Sequence, residues 1–160
     1  LKLNKMTSPY DLMVKLQGVR NSILDETENI IYRNENKIIQ LNSSQIEQHI
    51  GFDNKQLENT DKTFTGLYRS NTFTEAGGFH QIGQPYNFTD SGNFFRGFYV
   101  EVLPNLTQIE IGSTGTGSGD KDRFFRGYNN IFGLTSQNQY KLNYEIILPE
   151  LQKFIQQQLG

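Results

Sequence analysis

The chain has 160 residues, with 15 basic and 17 acidic side chains, a formal net charge of −2 and no cysteine. Its length suits a single domain over residues 1–160, and the lack of cysteine excludes disulfides, thiolate metal ligands and cysteine nucleophiles. The charge lacks the concentrated basic footprint that a phosphate backbone requires, and no apolar run reaches the roughly 18–20 residues that span a bilayer, so we expect neither a sequence-specific nucleic-acid partner nor a membrane partner.

The first predicted element is a helix over residues 9–31. Ser8 is suited to cap it, Pro9 suits the first helical position, and Asp11 adds negative charge to the first turn. The polar residues 34–36 predict an interruption of the helix. Its apolar face is indicated by residues that recur at steps of three or four, with one turn skipped: Leu12, Leu16, Val19, Ile23 and Ile30.

The middle of the chain gives weaker signals. Residues 37–50 are ambiguous, and a short strand followed by a helical turn is the assignment that their isoleucines suggest. Residues 51–61 have the composition of a polar loop, and residues 64–69 that of a short extended piece. The next stretch favours turns over regular structure because it is punctuated by Gly77, Gly78, Gly83 and Pro85.

Strand signals are clearest in the second half. Residues 94–103 are rich in aromatic and β-branched side chains, and residues 107–111 alternate apolar and polar ones. The Pro-Asn pair between them is turn chemistry, so an antiparallel hairpin is predicted. The glycine-rich residues 112–119 predict a flexible loop, and residues 124–128 a further strand.

A second helix is predicted from Ser136, with Ser136 and Gln139 forming a capping box. Pro149 lacks a backbone donor, so it is expected to kink or split this helix. The predicted order gives an α+β fold, with an N-terminal helix, a mainly antiparallel sheet containing a hairpin, and a C-terminal helix packed on the sheet. The apolar face of the second helix is expected to hold Tyr140, Tyr144, Ile147, Leu151, Phe154 and Ile155.

The glycine-rich run does not match a phosphate-binding loop. In such a loop a lysine follows a glycine and precedes a hydroxyl residue, whereas Lys121 lies between Asp120 and Asp122. The two aspartates alternate as in a calcium loop, but the remaining ligands and the bidentate glutamate are missing. We therefore expect no cofactor and no metal.

Nucleophilic catalysis has little support in the sequence. There is no G-x-S-x-G elbow, and His49 and His80 are the only imidazoles. A hydrolase with an unfamiliar site around His80 and Asp90 stays open as an alternative. We expect no catalytic residue and therefore a chain that is not an enzyme.

The order of features from residue 87 onward resembles that of a known group of proteins. Residues 88–94 (FTDSGNF) resemble the "T-G-x-L" entry to the strands of small phage tail-completion and virion-morphogenesis proteins. In those families a helix precedes this element, and a hairpin, a variable loop and an F-x-G-L-type segment lead into a C-terminal helix. Residues 98–111, 112–119 and 131–135 occupy those places here.

The resemblance implies a non-enzymatic neck or tail component that acts in head–tail connection by self-association. Such a protein forms rings with copies of itself, docks on portal or adaptor and tail proteins, and is located in the virion and, during assembly, in the host cytoplasm. A stand-alone bacterial binding or effector module is the main alternative. The expected assembly contacts are Gly115, Gly117, Asp120, Arg123, Phe124, Arg126 and Tyr128.

Overall fold

A computed structural model of the protein describes residues 8–57, 67–68, 71–73, 78–85, 88, 93–104, 108–114, 128 and 130–160. Over these residues the fold is α+β, as the sequence predicts, with N-terminal helices, two short antiparallel strand pairs and a C-terminal helical stretch. The elements are α1 (Pro9–Arg33), α2 (Glu35–Glu47), β1 (Thr72–Phe73), β2 (Phe79–His80), α3 (Asn93–Arg96), β3 (Phe98–Val102), β4 (Ile109–Ser113), α4 (Ser136–Tyr140), a π-helical segment (Lys141–Ile147) and α5 (Leu148–Leu159).

The start and end of α1 confirm the predicted helix. The Ser8 hydroxyl accepts a hydrogen bond from the Asp11 backbone N–H at 3.1 Å, and the Asp11 carboxylate accepts one from the Ser8 N–H at 3.2 Å. Pro9 occupies the first turn, where its missing donor costs nothing. Asn34 ends the helix by donating its backbone and side-chain N–H groups to the Ile30 carbonyl, at 3.1 and 2.9 Å.

Residues 37–50 do not form the short strand suggested by their isoleucines. Residues 37–47 belong to α2, which runs over Glu35–Glu47, and Ile50 forms an isolated antiparallel bridge with Gln56. Ile38, Asn42 and Ile46 lie four residues apart and are each fully buried, so they share one helical face. Burial of this face outweighs the weak β-preference of isoleucine.

The predicted hairpin is confirmed, with different ends. Strands β3 and β4 pair antiparallel, with Val100 opposite Ile111. The first residues of the predicted strand form the single helical turn α3 instead. At the other end, Gly112 and Ser113 belong to β4 and not to the predicted loop, because the Tyr99 ring lies over Gly112 where a Cβ would be 2.5 Å from it. Residues 115–119 of that loop lie outside the described residues.

The glycine-rich middle region contains a strand pair that the sequence does not predict. Strand β1 pairs with β2, so that Phe73 lies opposite Phe79. The predicted turn at Gly83 is present, with a φ of 82° that favours glycine. Two residues of the predicted extended piece, Leu67 and Tyr68, are described, and Leu67 bridges to Pro85.

The C-terminal helix begins at Ser136, as predicted, but Ser136 is not its cap. Its cap is Thr135, whose hydroxyl accepts a hydrogen bond from the Asn138 N–H at 3.3 Å. The predicted capping box of Ser136 and Gln139 is therefore wrong. The Gln139 side chain turns back to the Leu134 carbonyl instead, at 2.8 Å.

The helix changes type just before Pro149. The seven residues Lys141–Ile147 form a π-helix, and Pro149 lies in the first turn of α5, where a missing backbone donor is tolerated. Backbone angles are helical at Ile147 and Leu148, so the chain continues from one helical segment into the next. Leu142 is buried, whereas Tyr140 and Tyr144 are 59% and 56% exposed and stack on each other, so the predicted apolar face is wrong for both tyrosines.

One core joins the helices to the hairpin. Leu142 of the π-helical segment reaches the same cluster as Val100 and Ile111 of the hairpin. Helix α1 packs along α5, and the Lys15 ammonium donates to the Leu159 carbonyl at 2.9 Å. The buried apolar cluster consists of Ile31, Ile38, Ile46, Leu57, Phe88, Phe94, Phe98, Val100, Ile111, Tyr128, Ile131, Leu134 and Leu142.

Two glycine substitutions are expected to change stability in opposite directions. Gly51→Ala places a Cβ 2.7 Å from the Asn130 carbonyl oxygen and against its side chain, so unfolding should become easier by about 1–3 kcal/mol. Gly18→Ala lies in the middle of α1 with no heavy atom within 4 Å, so it should stabilise the protein by about 0.5–1 kcal/mol. Urea unfolding measures both, and effects of the same sign would contradict this packing.

Candidate functional site

Tyr128 is the expected assembly contact whose position the structure describes. It is 4% exposed, and its ring meets Phe88 edge-to-face with centroids 5.0 Å apart. Tyr128 therefore packs inside the core and does not form part of a free surface. The other expected contacts lie outside the described residues: Gly115, Gly117, Asp120, Arg123, Phe124 and Arg126.

A cluster of exposed apolar side chains lies instead on the β1–β2 pair and the turn after it. We call Phe73, Phe79 and Ile82 the hairpin patch, after the β1–β2 pair and not the β3–β4 hairpin described above. Their side chains are 80%, 45% and 64% exposed. The two phenylalanine rings lie side by side, with centroids 4.9 Å apart. The Asn71 side chain accepts a hydrogen bond from the Ile82 N–H at 2.9 Å, which fixes the turn. The patch is a preformed apolar surface.

His80 lies on the opposite face of β2 from Phe79. It is 9% exposed, and its ring stacks on Tyr68 with centroids 4.3 Å apart and planes 9° apart. This stack anchors the strand pair beneath the hairpin patch. Asp90, the other residue of the alternative hydrolase site, lies outside the described residues.

A groove of about 810 Å³ lies between strand β4 and the C-terminal helix. We call it the β4 groove. Apolar side chains from three parts of the chain line it, among them Phe52, Ile109 and Phe132, and Phe52 is 43% exposed. Gln108 and Glu110 add polar groups. The groove therefore offers an apolar surface together with hydrogen-bonding groups.

Buried amide side chains hold the segment 131–135 against α2. The Gln45 side chain is 4% exposed; its N–H donates to the Gly133 carbonyl at 2.6 Å, and its oxygen accepts from the Thr135 N–H at 3.1 Å. Asn42 donates to the carbonyls of Ile131 and Gly133 at 3.0 and 2.8 Å. Because the backbone of this segment is neither helix nor strand, these side chains supply its hydrogen bonds.

A polar cleft of about 490 Å³ opens beside these amides, between α2 and the start of α4. We call it the amide cleft. Lys37 and Lys141 are its charged lining residues, and the Lys37 ammonium donates to the Asn34 side chain at 2.7 Å. In the described part of the lining no carboxylate compensates this positive charge. Amide side chains make up much of the remainder: Gln40, Gln45, Gln48, Asn54, Gln137 and Asn138.

Charged residues join the end of α1 to the start of α5. Arg33 contacts the Glu26 carboxylate at 2.8 Å and the Glu150 carboxylate at 3.1 Å, and Asn34 donates to Glu150 at 2.8 Å. The hydrogen bond from Asn34, followed by that from Arg33, holds the pKa of Glu150 below its usual range despite partial burial. The ionised form of Glu150 therefore contributes to the helix junction.

In the described parts of the chain, no three His, Asp or Glu side chains come together as a metal site. No helix there is long and apolar enough to cross a membrane. No protein-family model, curated protein or solved structure matches the chain.

The helix junction generates a pH-dependent prediction. The pKa of Glu150 is lower in the folded protein than in the unfolded chain. Ionised Glu150 therefore stabilises the folded protein at a pH above the ordinary carboxyl pKa, and this stabilisation is lost as the pH falls through the folded-state pKa. Wild type should therefore be more stable than Glu150→Gln at about pH 7, and the difference should be smaller at about pH 3, below the ordinary carboxyl pKa. Urea unfolding at both pH values measures it. Glu145→Gln, at an exposed position, is the control, and an equal loss in that variant would contradict the assignment.

Proposed function

We propose that the chain is a non-enzymatic structural subunit of a phage or prophage neck or tail, which assembles with copies of itself into a ring. The hairpin patch is the observation that carries this proposal. Phe73 is 80% exposed beside Phe79, and exposed apolar clusters of this kind are typical of protein–protein contacts. Tail completion or head–tail connection is the role implied by the order of features along the sequence.

The short strands beneath the patch give a second reason for a partner. Strands β1 and β2 have two residues each, and an isolated strand pair is marginally stable in water. Packing the exposed aromatic face against another molecule would remove apolar area from water and stabilise the pair. The patch is therefore suited to become buried on assembly.

The β4 groove of a neighbouring copy is the proposed receiver of the patch. Phe52, Ile109 and Phe132 line it with apolar groups, and its volume of about 810 Å³ can accept large side chains. Patch and groove are different surfaces of one chain. Their docking is therefore head-to-tail, an arrangement that closes into a ring when the rotation between copies permits.

Energetics indicate that one such contact is weak. Burial of the three patch side chains, and of the apolar groove side chains that they cover, would contribute up to roughly 1.5–3 kcal/mol each, whereas association costs an estimated 4–15 kcal/mol. A single patch therefore gives a concentration-dependent contact. Ring closure, or docking on portal, adaptor and tail proteins, adds the further contacts that a stable assembly needs.

Two variants and their mixture test head-to-tail assembly. Phe73→Asp blocks the patch and Phe52→Asp blocks the groove, so each variant alone should be monomeric by light scattering and form no rings by negative-stain imaging. Their mixture should form dimers and nothing larger, because one intact patch and one intact groove remain. Tyr144→Asp, at a side chain that is 56% exposed, should assemble like wild type.

Three results would contradict the proposal. The first is a wild-type protein that stays monomeric up to about 1 mM, where even weak contacts become populated. The second is normal ring formation by Phe73→Asp. The third is a mixture of the two blocked variants that forms no dimers. This result would show that the patch does not bind the groove.

A further inference from the structure

We infer that the amide cleft is a binding site for an extended acidic peptide segment, with Lys37 and Lys141 receiving its carboxylates. The cleft lies between α2 and the start of α4 and uses none of the residues assigned to the hairpin patch. The inference goes beyond ring assembly and stands independently of it. Its basis is the charge, the hydrogen-bonding groups and the size of the cleft.

The charge of the cleft selects an anionic ligand. Lys37 comes from α2 and Lys141 from the π-helical segment, and no carboxylate is among the lining residues that the structure describes. Lys37 gives one hydrogen bond to Asn34, which leaves further N–H groups of its ammonium for a ligand. The nearby Glu150 is already engaged by Arg33 and Asn34, so it offsets the charge of Lys37 only in part.

The amides of the cleft match a peptide backbone. Gln40, Gln48 and Gln137 have exposed side chains that can each donate and accept hydrogen bonds, as an extended backbone requires. Behind them, Gln45 accepts from Asn138 at 3.0 Å, which makes one wall of the cleft rigid. The start of the helical stretch at Thr135 adds positive potential to the same wall.

Size and lining favour a short peptide over a nucleotide. A volume of about 490 Å³ is within the range of ligand sites and holds a few residues of extended chain. Among the described residues of the lining there is no aromatic ring on which a base could stack. Leu41, Ile50 and Ile146 supply the apolar part, which suits the methylene groups of glutamate side chains.

Amide NMR titration of the full chain tests the assignment. The probe is the capped peptide Glu-Glu-Glu, with capped Gln-Gln-Gln and inorganic phosphate as comparisons. We expect saturable shifts at Gln40, Ser44 and Gln137 with the acidic peptide, and at least tenfold weaker binding of the neutral peptide. Lys37→Gln and Lys141→Gln should each weaken binding about three- to fivefold, as exposed ion pairs do.

Lys153→Gln is the matched control, since it removes the same charge from an exposed position on α5 outside the cleft. It should leave affinity unchanged. The inference fails if shifts do not saturate, if the neutral peptide binds equally well, or if Lys153→Gln weakens binding as much as the cleft variants. Equal affinity for phosphate, with the same shifts, would make this a general anion site and would also overturn the peptide assignment.

Discussion

The hydrogen bonds from the buried amides of α2 to residues 131–135 position the start of the C-terminal helix. Gln45 and Asn42 both donate to the Gly133 carbonyl, and Gln45 also accepts from the Thr135 N–H. These contacts fix where the C-terminal helix begins, because Thr135 is its cap. The amide cleft and the β4 groove lie on either side of this segment, so both depend on it.

The sequence predicts those elements whose signals are local. The α1 helix can be predicted because its capping box and Pro9 lie within four consecutive residues. The β3–β4 hairpin can be predicted because its first strand is rich in aromatic and β-branched residues and its second strand alternates. Helix α2 is hidden because its buried face carries Asn42 and Gln45 beside isoleucines. Polar residues at these positions interrupt the apolar pattern by which a helix is predicted. Their burial is explained by hydrogen bonds to backbone carbonyls about ninety residues away in the chain.

The candidate surfaces were harder to predict than the fold. A strand of two residues is too short to show an alternating apolar pattern. The glycine-rich region therefore does not predict that Phe73 and Phe79 pair. Tyr128 follows an aromatic run that suits a core as well as an interface, and the structure buries it. The amide cleft is lined by residues of α2 and by residues near position 140. Spacing along the chain does not show that these two parts lie side by side.

The most direct measurement is the free energy of unfolding of Gln45→Leu compared with Gln48→Leu, by urea denaturation. Leucine keeps the approximate volume but leaves the buried Thr135 N–H without its acceptor, so Gln45→Leu should lose about 1–3 kcal/mol. Gln48 is exposed at the C-cap of the same helix, and its variant should stay within about 0.5 kcal/mol of wild type. Equal stability of the two variants would contradict the anchoring role of the buried amides.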